Sequence, residues 1–186
     1  MKSDGDLPPT TYTAAGIRID DATGKPIIRV MKALRPQVSE SASMEKAFEI
    51  GRAAHEQIER KFNNGTKKEY TQRFDRGDYI IECHADLFNP KDGGLVMEIK
   101  SWRYFVEEHQ SCIWQLSAYK ALLGAANAWF ILYEGEFVKK ADGKEEFRVK
   151  SKSQAFVPLM SSQDILTLLD AKAHELIAKY CAEGKL

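Results

Sequence analysis

The chain has 186 residues, 44% of them hydrophobic, with 27 basic and 27 acidic side chains and no net charge. That length and apolar content suffice for a single packed domain over residues 1–186, and no linker, repeat or low-complexity tract divides it. A zero balance excludes binding of polyanions through total charge, so any nucleic-acid contact must come from local charge distribution, and no apolar run is long enough to span a membrane.

In chain order, residues 1–9, with Pro8 and Pro9, read as a loose tail. Thr10–Thr13 and Gly16–Ile19, followed by the turn formers Asp20-Asp21-Ala22-Thr23-Gly24, predict a short hairpin before Ile27-Ile28-Arg29-Val30. From Ser43 to Phe62 the apolar positions Met44, Ala47, Phe48, Gly51, Ala54, Ile58 and Phe62 recur at helical spacing, with Ser41 or Ser43 as the cap. His55 and Glu59 stand one turn apart beside that stripe, where a histidine by itself reads as a satisfied core residue.

Tyr79–Phe88 and Leu95–Lys100, joined by Asn89-Pro90-Lys91-Asp92-Gly93-Gly94, predict an antiparallel hairpin. Strand alternation puts Tyr79, Ile81, Cys83, Ala85 and Leu87 on one face, and Glu82, His84 and Asp86 with Ile80 and Phe88 on the other. In the partner strand Leu95, Met97 and Ile99 oppose Glu98 and Lys100. Asp86 and Glu98 then meet near one end of the pair. Carboxylates gathered this closely repel unless a cation lies between them, and oxygen donors suit a hard ion such as Mg²⁺ or Mn²⁺. Lys100, two residues beyond Glu98 on the same face, is placed to hold an attacking water or to offset charge on a phosphate. The bland reading of a lone Glu-x-Lys is a solvated face with cross-strand ion pairs.

A second helix, from Val106 to Leu123, carries Gln115 and Tyr119 one turn apart, ordinarily a polar fringe on a packed helix. Strands at Ala128–Lys139 and Glu146–Val157 follow. A last helix from Gln163 to Ala182 is capped by Ser161 or Ser162 and striped with Ile165, Leu168, Leu169, Ala173, Leu176, Ile177 and Tyr180. Together these elements predict an α/β sandwich. Arg148, Lys150 and Lys152 alternate along one strand after Lys139, Lys140 and Lys144; they suit a phosphate backbone, or equally an edge strand protected from aggregation. Trp102, Arg103, Tyr104 and Phe105 suit stacking on an unpaired base, although at least two of them read as core. Cys83, Cys112 and Cys181 are scattered, which predicts unpaired thiols in a reducing cytosol.

Gly51-Arg52-Ala53-Ala54-His55-Glu56-Gln57-Ile58-Glu59, then Asp86, then Glu98-Ile99-Lys100, then Gln115-Leu116-Ser117-Ala118-Tyr119 spell G-x-x-x-H-x-x-x-E, D, E-x-K and Q-x-x-x-Y in order. Over residues 51–119 the chain resembles the RecB-like branch of the PD-(D/E)xK nuclease superfamily. The resemblance implies a restriction-endonuclease-like α/β sandwich, with a central mixed β-sheet flanked by helices. It implies a Mg²⁺- or Mn²⁺-dependent deoxyribonuclease, most often an exonuclease, that hydrolyses DNA phosphodiester bonds with a metal-activated water. The alternatives are an endonuclease or nickase, and a non-catalytic DNA-binding protein or a subunit of a recombination or CRISPR complex that keeps the fold.

By the same resemblance His55, Asp86, Glu98 and the backbone carbonyl of Ile99 bind metal, and Lys100 positions the water. Gln115 and Tyr119 line the site, and Glu59 orients His55 or makes a salt bridge. Trp102, Arg103, Arg148, Lys150 and Lys152 are the candidate DNA contacts. The chain departs from the family pattern at Cys83, where many relatives have a small residue three positions before the aspartate; His84 is an alternative ligand to His55, with His55 preferred because its helix context matches. Relatives that hold an iron–sulfur cluster use four cysteines, so three imply no such cluster. The N-terminal lead-in is similar to that of compact phage nucleases, which implies a phage or mobile-element source and action in the host cytoplasm. DNA is the expected partner, with a second copy or a recombination complex as further candidates.

Overall fold

The largely buried segment Ile80–Asn89 forms a strand with three neighbours, and the rest of the sheet is arranged around it. The computed structural model describes residues 7–34, 42–62, 65–91, 93–143 and 145–186. In chain order they form β1 (Thr10–Tyr12), β2 (Arg18–Asp20), β3 (Ile27–Arg29), α1 (Val30–Leu34), α2 (Ala42–Glu59), β4 (Lys67–Asp75) and β5 (Ile80–Asn89). Next come β6 (Leu95–Ser101), α3 (Trp102–Glu107), α4 (His109–Leu122), β7 (Asn127–Lys139), β8 (Glu145–Ala155) and α5 (Ser162–Ala182). β1 and β2 make the small hairpin expected from the turn residues between and after them.

The main sheet runs β3-β5-β6-β7-β8, with β4 also paired to β5. β4 is antiparallel along one whole edge of β5, from Lys67 opposite Phe88 to Asp75 opposite Ile80. On the other edge, β3 lies parallel to Ile80–Glu82 and β6 antiparallel to Leu87–Asn89. Between those contacts, at residues 83–86, the sheet forks. β6 pairs parallel with β7, and β7 antiparallel with β8, so the sheet is mixed.

Helices α1, α4 and α5 cover one face through Leu34, Leu116, Ala118, Ile165, Leu169 and Ala173. Helix α2 covers the other with Ala54 and Ile58 against Leu87, Met97, Ile99 and Ile131. The architecture is therefore an α/β sandwich. Burying a residue such as Ile58 contributes about 1.5–3 kcal/mol, and α2 is further fixed by Gln57. Its amide Nε2 donates to the Phe147 carbonyl at 2.7 Å and its Oε1 accepts from Val149 N–H at 3.1 Å. The side chain thus satisfies the outer edge of β8 as another strand would. It also sets the register of His55 and Glu59 on the same helix against the sheet.

Several details depart from the sequence reading. The alternation along β5 breaks at Asp86: Ala85 belongs to the core beneath α4, Leu87 to the core beneath α2, and Phe88 returns to the first, stacked on Tyr70 at 5.0 Å. The break falls where β5 passes from β3 to β6 as its neighbour. The helix expected from Val106 begins instead at Trp102, where the Ser101 hydroxyl accepts from Tyr104 N–H at 3.2 Å, and it restarts at His109. Strand β4 was not anticipated. Residues 7–9 are not wholly loose, since Arg73 donates to the Pro8 carbonyl at 2.8 Å and Asp21 N–H to that of Pro9 at 3.2 Å. Helix α2 starts at Ala42 and ends at Glu59 rather than Phe62; Ser41 lies outside the described residues.

β8 also differs. A register shift lets Ser151 oppose Glu134 while Val149 opposes Gly135, so Lys150 is the extra residue of a bulge. Gly135 is required there, because a Cβ would lie 2.2 Å from the Phe147 ring and 2.6 Å from the Arg148 carbonyl. The bulge ends the alternation expected of Arg148, Lys150 and Lys152: Lys152 lies above the Phe62 ring on the α2 side, sharing that face with Phe147 and Val149. Arg148 takes the opposite face. Among the described residues no helix is long and apolar enough to cross a membrane.

Candidate metal centre

At the fork the two carboxylates of the hairpin replace the missing ladder bonds. Asp86 Oδ2 accepts from Ile99 N–H at 2.7 Å, and Glu98 Oε1 accepts from Asp86 N–H at 3.1 Å. Each thereby satisfies a backbone donor that the parting strands leave free. Asp86 and Glu98 are buried, at 7% and 0% exposure. The second oxygen of Glu98 accepts from Lys100 Nζ at 2.9 Å and from Gln115 Nε2 at 2.8 Å. Lys100 Nζ also lies 4.0 Å from Asp86 Oδ2.

The His55 ring enters from α2. Its Nε2 is 3.1 Å from the Ile99 carbonyl, an acceptor, so this nitrogen carries the proton in the neutral ring and Nδ1 presents a lone pair. Around Nδ1 stand Asp86 Oδ1 at 3.7 Å, Glu69 Oε1 at 3.8 Å and Glu59 Oε1 at 4.0 Å. Glu69 comes from β4 and is, among the described residues, the one non-glycine with a left-handed backbone, φ 47°. Its other carboxylate oxygen bonds His84 Nε2, and His84 Nδ1 lies 2.7 Å from the Thr71 hydroxyl.

The charges are strongly coupled. Burial would lower the pKa of His55, but Glu69 and Asp86 outweigh it and raise it above the ordinary histidine value. Contact with His55 and His84 holds the Glu69 carboxyl well below the usual range. Burial and the Glu69 charge push Glu59 up. Burial and Asp86 push Glu98 up to about 7, against the pull of Lys100. Burial opposes the Lys100 charge, yet Glu98 and Asp86 hold the ammonium protonated well above the ordinary lysine range.

Donor atoms of His55, Glu69 and Asp86 all lie within 4.8 Å of one another and could hold a metal ion. The separations of 3.7–3.8 Å from His55 Nδ1 exceed hydrogen-bond length. They fall within twice the ligand distance of about 2.1 Å for a small divalent ion. Glu59 Oε1, buried and without a hydrogen-bond partner, faces the same nitrogen. A nitrogen donor with carboxylate oxygens, and a further buried oxygen left unsatisfied, fits a divalent cation.

Of the residues singled out in the sequence, the structure brings together His55, Glu59, Asp86, Glu98, Ile99, Lys100 and Gln115. The Ile99 carbonyl is the acceptor for His55. Both oxygens of Glu98 are engaged by the Asp86 backbone, Lys100 and Gln115, so it anchors the lysine and stands outside the His55–Glu69–Asp86 group. Tyr119 is buried behind Gln115, whose Nε2 donates to its hydroxyl at 3.2 Å, and so does not line an open site. His84 faces Glu69 rather than competing with His55. Sequence reasoning missed Glu69 altogether.

The expected DNA contacts are dispersed. Trp102 is 49% exposed at the start of α3, and Arg103 pairs with Glu107 at 2.8 Å. Arg148 lies 3.7 Å from Glu146 and Lys150 4.0 Å from Glu136. Lys150 and Lys152 line a groove of about 360 Å³ with Arg60 and Lys61, beyond the last turn of α2. That groove replaces the single basic strand face as the local concentration of positive charge.

Fold and site define an α/β protein in which a helix and three neighbouring strands bring a histidine, carboxylates and a lysine to one fork in a mixed sheet. Among solved structures, the crystal structure of SSO0001 matches with a TM-score of 0.52 and 19% identity, over 80% of this chain and 75% of that one. At that identity the likeness shows the shared fold alone. No protein-family model and no curated protein matches the sequence.

Proposed function

We propose that the protein is a metal-dependent deoxyribonuclease of the RecB-like PD-(D/E)xK type, hydrolysing DNA phosphodiester bonds and acting preferentially at ends. The observation that carries this reading is the convergence of His55, Glu69 and Asp86 within 4.8 Å, with the Lys100 ammonium 4.0 Å from Asp86. His55, Glu69 and Asp86 would hold Mg²⁺ or Mn²⁺. Such an ion supplies charge neutralisation at a phosphoryl oxygen and lowers the pKa of water.

The protein's own groups do the rest. The Ile99 carbonyl fixes the His55 ring, so that Nδ1 faces the acidic residues. Glu98, held by Gln115, keeps Lys100 charged and directed at the rim of the site. There the ammonium can orient the attacking water and offset charge developing on the phosphate. The groove lined by Arg60, Lys61, Lys150 and Lys152 supports passage of a phosphate backbone close to α2. The buried thiols of Cys83 and Cys112 and the exposed Cys181, none of them in a disulfide, suit a reducing cytoplasm.

The test is digestion of end-labelled linear, closed circular and single-stranded DNA with Mg²⁺, Mn²⁺ or EDTA. Linear substrate is expected to be consumed with either metal, circular substrate to survive, and EDTA to stop the reaction. Hydrolysis undiminished in EDTA, or retained by Asp86→Ala, would sink the reading; loss of circular DNA as well would replace exonuclease with endonuclease.

A further inference from the structure

We infer that the cleft between the β1–β2 hairpin, β3, α1 and the end of α5 is a binding site for a nucleoside monophosphate, its phosphate held by Arg29 and Lys32 and its base laid on Tyr12. The site is separate from the metal centre. Arg29 stands opposite Glu82, four residues before Asp86 on β5, which sets the two sites about 13 Å apart.

The cleft encloses about 270 Å³, and its described walls carry Arg18, Arg29 and Lys32 with no carboxylate among them. Behind it, Arg18, Arg29 and Arg73 share Glu82, and Arg73 also lies 3.7 Å from Asp20. Three guanidiniums therefore meet two carboxylates, and Lys32, without a carboxylate partner among the described residues, brings the excess to two positive charges. A phosphate monoester carries about −1.5 to −2 at neutral pH and matches that excess; a phosphodiester carries a single charge. Arg18 commits both terminal nitrogens to Glu82, but Arg29 uses only Nε, at 3.3 Å, and its side chain is 62% exposed. The terminal nitrogens of Arg29 are thus left to grip two oxygens of one phosphate, a geometry to which a guanidinium is suited.

The wall gives an independent sign. Tyr180, 3% exposed, lines the cleft, and its hydroxyl is buried without a hydrogen-bond partner. A hydroxyl in that state lacks the acceptor its O–H needs. The Lys32 ammonium lies over the same ring, 5.2 Å from its centroid. Moving Lys32 onto a phosphate uncovers Tyr180 and brings an anionic oxygen as acceptor for its hydroxyl. Tyr12, 66% exposed, also lines the cleft and presents a ring face to a base. Cationic walls beside an exposed aromatic ring select a nucleotide over a bare anion.

The experiment is calorimetric titration of the intact chain with deoxyadenosine monophosphate, inorganic phosphate and deoxyadenosine, in EDTA so that no metal takes part. The nucleotide is expected to bind saturably, phosphate more weakly and the nucleoside not at all. Arg29→Gln and Lys32→Gln are each expected to weaken the nucleotide about 10-fold or more, the usual loss of a charge-assisted contact. Tyr180→Phe is expected to weaken nucleotide and phosphate alike by about 10-fold. Tyr12→Ala is expected to weaken the nucleotide about 10-fold and leave phosphate unchanged. Competition by a 5′-phosphorylated single strand, but not by its unphosphorylated form, would identify the source as a DNA end; competition by neither would identify a free nucleotide. Equal competition by both would show diester binding and overturn the monophosphate assignment. No binding of nucleotide or phosphate by the wild type, or affinity within about threefold of wild type in both Arg29→Gln and Lys32→Gln, overturns the site. Lys32 stands outside the Glu82 network, so its variant decides the matter even where Arg29→Gln disturbs the fold. Metal-dependent digestion is scored separately, and a failure of either reading leaves the other standing.

Discussion

Lys100→Met is expected to slow DNA hydrolysis by about 10²–10³-fold, the loss typical when one preorganised charge at a transition state is removed. Lys100 lies 2.9 Å from Glu98 and 4.0 Å from Asp86, little exposed, and is held ionised by those carboxylates. Its partial desolvation makes the ammonium more effective than a surface lysine, because less water screens it from a phosphate. Methionine keeps the length of the chain and removes only the charge. Mn²⁺ affinity should hold or rise, since the variant takes a positive charge away from the ion. Single-turnover cleavage of end-labelled linear DNA, with Mn²⁺ titration as the check on folding, measures both. A cleavage rate within threefold of wild type would show that the lysine does not act on the reacting phosphate.

The largest stability effect lies on the neighbouring strand β5. Glu82, 3% exposed, accepts from Arg18 at 2.7 and 3.0 Å, from Arg73 at 3.2 Å and from Arg29 at 3.3 Å. Glu82→Ala leaves Arg18 and Arg73 facing each other with, among the described carboxylates, Asp20 at 3.7 Å from Arg73 in compensation. Breaking a buried ion network by removing one partner costs about 3–5 kcal/mol. The urea midpoint should fall by about 2 M for a slope of about 2 kcal/mol/M. The pH dependence has a definite sign. Burial alone would raise the Glu82 pKa, but the three arginines outweigh it and lower it. Glu82 therefore contributes its full stabilisation above the ordinary glutamate value of about 4.3, and loses it as pH falls through the lower folded value. Urea melts of wild type at pH 7 and pH 3 should differ by more than those of Glu82→Gln; equal slopes would remove Glu82 from the acid response.

Lys100 on β6 and Glu82 on β5 belong to a hairpin whose pattern was readable, and the contrast with the neighbouring β4 shows what sequence periodicity can carry. The hairpin of β5 and β6 announces itself through β-branched and apolar runs around a glycine-rich turn. Helix α2 does so through a 3.6-residue stripe that brings His55 and Glu59 to one side. β4 gives almost no such signal: Lys67-Lys68-Glu69-Tyr70-Thr71-Gln72-Arg73-Phe74 is mostly charged or polar, and only Tyr70 and Phe74 hint at a buried face. Its polar residues find partners on β5, with Arg73 on Glu82 and Glu69 on His84, so cross-strand charge pairing takes the place of hydrophobic alternation.

The same blindness explains Glu69. Nothing in one dimension shows that a left-handed residue opposite Asp86 will turn its carboxylate toward a histidine on another element. The strand forms β5 and β8 were foreseen, yet alternation failed at Asp86 and at Lys150. In both places the strand changes partner or gains a residue, an event of sheet topology rather than of local preference. A sequence signal for β4 did exist in the turn formers Asn63-Asn64-Gly65 before it and Arg76-Gly77-Asp78 after it, which bracket a segment of strand length.

The most direct test of the central claim, that α2, β4 and β5 together cage a divalent cation, is anomalous diffraction at the manganese edge from crystals grown with Mn²⁺. The account predicts one strong peak touching His55 Nδ1, Asp86 Oδ1 and Glu69 Oε1, with Lys100 still on Glu98. A structure with no peak there, or with Mn²⁺ seated on Glu98 and Glu69 turned away toward solvent, would contradict it.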